Sequence, residues 1–138
     1  MRLPVHDVLV PKLIAAFPPL GISVDAMTEA GPAVAVFPAA HPEVGDVVVY
    51  DREDEAVIFL GHYAHAHISN FDESLDANAK TEAIATEVVE FLRGVFADEV
   101  IFYGNRRGGG WGARSRKRGL LSKFFFGERT YVWSGPLE

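Results

Sequence analysis

The chain has 138 residues, 49% of them hydrophobic and 23% charged, with no cysteine and a formal net charge of −6. That length suits one ordinary domain with its own core, the composition lies near the soluble average, and the lack of cysteine excludes disulfides, thiolate catalysis and every Cys-based metal site. No stretch reaches the roughly 18 uncharged apolar residues that span a bilayer, and His6 and Asp7 interrupt the start before an apolar signal core forms, so the expectation is a cytoplasmic protein without a transmembrane segment.

The first element is a helix over Val5 to Phe17. Val5, Val8, Leu9, Leu13, Ala16 and Phe17 fall near one helical face, Asp7 is placed to cap its N-terminus, and Pro11 then lies in the first turn, where its missing N–H has no intrahelical partner to lose. Pro18-Pro19 ends it. Runs rich in Val, Ile and aromatic residues follow at Ile22 to Met27, Ala33 to Phe37, Val47 to Asp51 and Ala56 to about Ile68, and these read as strands. Arg52-Glu53-Asp54-Glu55 has the length and polarity of a hairpin connector, so the strands around it are expected to pair antiparallel.

From Asp76 the period changes. Ile84, Val88, Phe91, Leu92 and Val95 recur at helical spacing, with Asp76 as N-cap and an end near Phe96. A strand over about Glu99 to Tyr103 and a last one over Arg129 to Trp133 complete the pattern. Between them lies the 105–119 segment, in which four of the five positions 108–112 are glycine, a density that predicts a flexible Gly/Arg-rich loop.

Helix, strands, helix, strands predicts a single α+β domain over residues 1–138, with a mostly antiparallel sheet of about five to six strands and two helices packed on one face. In Val47-Val48-Val49-Tyr50, Val57-Ile58-Phe59-Leu60 and Val100-Ile101-Phe102-Tyr103 both alternating faces are apolar. A sheet wetted on one side alternates with polar residues instead, so the second face calls for a cover: the Leu120 to Phe126 segment, a second copy of the chain, or another partner.

Three of the five histidines lie in Gly61-His62-Tyr63-Ala64-His65-Ala66-His67. On a strand, His65 and His67 share a face and His62 points opposite. The pair is a start for a divalent metal site, needing further ligands such as Asp72, Glu73, His6 or His41. The simpler reading makes them amphipathic strand residues near a sheet end. No His-Glu-x-x-His, Walker-type loop or Gly-x-Ser-x-Gly elbow occurs. Gly108-x-Gly110-x-x-Ala113 superficially matches a dinucleotide fingerprint, but the following Arg114-Ser-Arg-Lys-Arg-Gly119 lacks the apolar helix face which that motif needs.

The charge is split along the chain. Residues 1–105 carry 5 Lys/Arg against 17 Asp/Glu, or −12, and residues 106–138 carry 8 against 2, or +6. Arg106, Arg107, Arg114, Arg116, Lys117 and Arg118 surround one aromatic, Trp111, which is a composition able to hold single-stranded nucleic acid or phosphate, although an acidic body repels polyanions. Three readings therefore stand. The first is a non-enzymatic interaction domain, homodimeric or bound to an acidic protein partner, acting through the apolar sheet face and the basic aromatic arm. The second is a metal-dependent or hydrolytic enzyme centred on His65 and His67. The third is a nucleic-acid or phosphate binder through Arg106, Arg107, Trp111, Arg114, Arg116, Lys117 and Arg118.

Overall fold

The computed structural model describes residues 5–52, 55–62, 64–105, 108–114 and 129–136. Helix α1 spans Val5–Ala16 and buries Val5, Leu9 and Leu13, a stripe at four-residue spacing. It begins before Asp7, so that carboxylate sits in the first turn instead of capping it, and Pro11 lies inside the helix. There its ring leaves the Asp7 carbonyl without an intrahelical N–H. A single 3-10 turn at Pro18–Leu20, closed by Gly21 in the left-handed region (φ 67), redirects the chain.

Five strands then form an antiparallel meander in chain order: β1 (Ser23–Thr28), β2 (Gly31–Phe37), β3 (Val47–Asp51), β4 (Glu55–Leu60) and β5 (Ala64–Ser69). The expected hairpin around Arg52 is present, with Asp51 opposite Ala56 and the Arg52 N–H donating to the Glu55 carbonyl at 2.9 Å. The run Ala56 to Ile68, expected as one strand, is broken in two. Gly61 turns it with a φ of 68, and its N–H donates to the Asp46 carbonyl at 3.0 Å. Leu60 thereby comes to face Ala64.

Helix α2 (Ala77–Phe96) starts where its sequence demands, with Asp76 accepting from the Ala79 N–H at 2.8 Å. Its inward stripe is Thr81, Ile84, Ala85, Val88, Val89, Leu92 and Val95. A second antiparallel sheet follows, built from β6 (Val100–Asn105), β7 (Gly108–Ala113), β8 (Arg129–Val132) and β9 (Gly135–Pro136), in the order β7-β6-β8-β9. Residues 108–113, expected as loop, are thus a strand. The ladder with β6 uses only backbone groups, running from Val100 opposite Ala113 to Asn105 opposite Gly108, and a side chain at Gly110 would collide with the Tyr103 ring, whose Oη lies 2.5 Å from where a Cβ would sit. Residues 106, 107 and 115–119 of the expected loop, and the Leu120 to Phe126 segment named as one possible cover for the second sheet face, lie outside the described residues.

The class is α+β, one small domain, with nine described strands divided between two sheets. Both helices lie on the inner face of the five-stranded sheet, where Ala35, Phe37, Val47, Val49, Ile58 and Leu60 meet Leu9, Leu13, Val88 and Leu92. Val100, Phe102, Tyr131 and Trp133 of the second sheet and the turn after β8 join the same core, and β7 lies beside β5. Asp98, in the left-handed region (φ 60), accepts from Ser134 through its N–H (3.0 Å) and its hydroxyl (2.5 Å). That contact ties the β8–β9 turn to the end of α2. Among the described residues no helix is long and apolar enough to cross a membrane.

Candidate functional site

The outer face of the five-stranded sheet is assembled by register. Val36, Val48, Phe59 and His65 form one cross-strand row, and Tyr50, Val57 and His67 the next. Ala33, Tyr50 and Val57 make a small apolar cluster separate from the main core, with Val36 and Val48 against it. Rings run across the strands in a chain: Tyr50 meets Phe59 edge-on at 5.4 Å, Phe59 meets His65 at 5.8 Å, and His65 meets His67 at 5.1 Å. The Tyr50 hydroxyl bonds the Thr28 hydroxyl at 2.6 Å, and the Arg52 guanidinium lies over the Tyr50 ring at 5.0 Å. The polar groups are thus used to brace aromatic rings.

His65 and His67 do share a face, as alternation requires, and His67 Nδ1 donates to Glu55 at 3.1 Å. His62 belongs to the turn after β4, not to a strand, and its Nε2 donates to the Pro42 carbonyl at 3.1 Å. His41 sits in the loop before β3 and accepts from the Glu43 N–H. Asp72 accepts from both the N–H and the hydroxyl of Ser74, at 3.0 and 2.6 Å. Those bonds hold its carboxyl below the usual carboxylate range and stabilise the approach to α2. Among the described residues no three His, Asp or Glu side chains are arranged to hold a metal ion.

One polar constellation has no local signal in the sequence. The His6 ring lies between the carboxylates of Asp7 (3.0 Å) and Asp25, while its backbone N–H donates to Asp51 at 3.1 Å. Asp25 is 19 residues away, at a left-handed position of β1 (φ 52). The hydrogen bond to Asp7, then that to Asp25, raise the imidazole pKa above its ordinary value. A raised folded-state pKa contributes stability that is complete below the unfolded value of about 6.5 and is lost as pH rises through the folded value. With the ring about a third exposed (35%), the effect is expected to stay below about 1 kcal/mol. His6→Gln should flatten the stability–pH curve just above pH 6.5 in urea titrations, and an unchanged slope would remove the role.

Of the arm residues, Trp111 and Arg114 are described; Arg106, Arg107, Arg116, Lys117 and Arg118 lie outside the described residues. Trp111 stands opposite Phe102 on β7 and reaches the α2 side, where its ring meets Phe91 edge-on at 4.9 Å. Arg114 is anchored to the end of α2. Its N–H donates to the Glu99 carbonyl at 2.7 Å and its Nη1 to the Asp98 carbonyl at 3.2 Å. The structure therefore brings Trp111 and Arg114 together, but among the glutamates Glu90 and Glu99. No protein family, no curated protein and no solved structure matches this chain.

Proposed function

We propose that this protein is a non-enzymatic interaction domain that pairs with a second copy of itself through the outer face of the five-stranded sheet. Phe59 carries the reading. It remains 38% exposed in the middle of the Val48–Phe59–His65 row, on the face that both helices leave. Phe59 is the exposed aromatic beside the buried Ala33, Tyr50 and Val57 cluster and the partly buried Val36 and Val48, and apolar surface of this kind, continuous across strands, supports a contact surface. Stacked sheet faces interdigitate at about 10 Å, and a twofold pairing uses one patch twice. The face mixes Arg52, Glu55, His65 and His67, so two copies do not meet as like charges, whereas the strongly acidic remainder of residues 1–105 would repel a copy elsewhere.

Covering the exposed part of one Phe59 side chain contributes ~1 kcal/mol, hence ~2 kcal/mol across a twofold interface, or about 30-fold in affinity. Sedimentation equilibrium should show a concentration-dependent dimer, weakened at least about 30-fold by Phe59→Glu with unchanged helical circular dichroism. A wild-type chain that remains monomeric at roughly millimolar concentration would overturn the proposal, as would a Phe59→Glu chain that dimerises equally well.

A further inference from the structure

A second surface lies on the α2 side of the domain, away from the sheet's outer face. α2 and the β6–β7 hairpin enclose a groove of about 510 Å³, lined by Glu90, Phe91, Gly94, Glu99, Val100, Trp111, Ala113 and Arg114. That volume is within the range of small-ligand sites. Its shape comes from glycine in two places. Gly109, Gly110 and Gly112 leave Trp111 as the one large side chain of β7, and that residue is 40% exposed. Gly94, inside α2, leaves the floor open: a Cβ built there meets nothing nearer than the Glu99 carboxylate and Val100, each at 3.8 Å.

Among the described residues the charge of the lining is net negative, two carboxylates against one guanidinium. Arg114 already donates to the Asp98 carbonyl, while among the described residues the ion pairs are His6 with Asp7 and Asp25, Lys12 with Glu82, and His67 with Glu55, none of which uses Glu90 or Glu99. Indole is the aromatic ring that attracts a cation most strongly. An apolar floor, an exposed indole and two carboxylates outside these ion pairs define the complement of an organic cation on a hydrocarbon stem.

We infer that this groove binds an alkylguanidinium or alkylammonium group, its stem along Phe91 and Val100, its charge against Trp111 and Glu99. Such a group arrives either as a free small cation or as a basic side chain of a peptide. The same geometry argues against a phosphate at Trp111, since an anion would sit beside Glu90 and Glu99.

The test is titration of the full-length protein with n-butylguanidinium, followed by the Trp111 indole N–H resonance, alongside the neutral isostere n-butylurea and a capped Gly-Arg-Gly peptide. Saturable binding of butylguanidinium is expected, with butylurea at least about tenfold weaker. Glu99→Gln should weaken binding about tenfold. Gly94→Leu, which fills the groove from a helical position where leucine is better tolerated than glycine, should abolish it while thermal unfolding shows the fold retained. Peptide binding as tight as that of butylguanidinium would identify a protein side chain as the ligand, and binding of the free cation alone would identify a small molecule. The inference is overturned by no saturable shift up to ~50 mM, by equal binding of butylurea, or by binding that survives Gly94→Leu. Since Phe59 lies on the other side of the sheet, dimerisation can fail without altering any of these results.

Discussion

Replacing Gly61 with alanine is expected to destabilise the protein by roughly 2–5 kcal/mol, combining the left-handed backbone cost with overpacking. Gly61 holds φ 68, and a Cβ there would fall 2.0 Å from the Val44 carbonyl oxygen. That oxygen belongs to backbone and is itself engaged, accepting from the His62 N–H at 3.0 Å, while Gly61 donates to Asp46. The turn and the 44–46 loop cannot separate without breaking both bonds. Gly61→Asn separates the two contributions. Asparagine tolerates the left-handed region but places its Cβ against the same oxygen, so little recovery is expected. Urea midpoints of the three proteins decide the matter, and an alanine variant within about 0.5 kcal/mol of wild type would show that the turn rearranges freely.

Phe37→Ala should cost about 3–5 kcal/mol. Phe37 is fully buried and sits where all layers meet: its ring contacts Phe17 at 5.8 Å after α1 and Phe96 at 4.8 Å in the last turn of α2. Phe96 in turn meets Phe17 at 5.1 Å and Trp133 at 4.9 Å. Removing the central ring leaves a cavity between the two helices and both sheets, a place that cannot collapse without moving several elements at once. The fluorescence of Trp133, buried in this cluster, should report the loss together with the denaturant midpoint. A Phe37→Leu variant is expected to recover a good part of it, because much of the volume returns.

The two surfaces differ in how far the sequence revealed them. Apolar residues on both alternating faces of Val47–Tyr50 and Val57–Leu60 announced a sheet with a second apolar face, and register then assembled Val36, Val48, Tyr50, Val57 and Phe59 into it. The same alternation paired His65 with His67. It misplaced His62, since the break at Gly61 is a turn made by packing against residues 44–46, and a glycine within an apolar run carries no mark that separates a turn from a bulge. Trp111 was legible as the one aromatic among the arginines, and the structure leaves it partly exposed. Its companions were not, because Phe91 and Glu90 look like ordinary members of an amphipathic helix until β7 is laid beside them.

What residues 1–138 determined alone is what depends on near neighbours: the capped start of α2 at Asp76, its apolar stripe, the β3–β4 hairpin and the α+β class. Each rests on a period of 3.6 or 2.0 residues or on a cap a few positions away, and those relations hold wherever the segment lies in space. Only the tertiary structure decided that the strands divide into sheets of five and four, that glycines 108–112 make a strand, that His6 is clasped by Asp25, and that two glutamates flank Trp111. All of these depend on chain reversals that bring distant positions together, and no local period records which reversals the packed core will select.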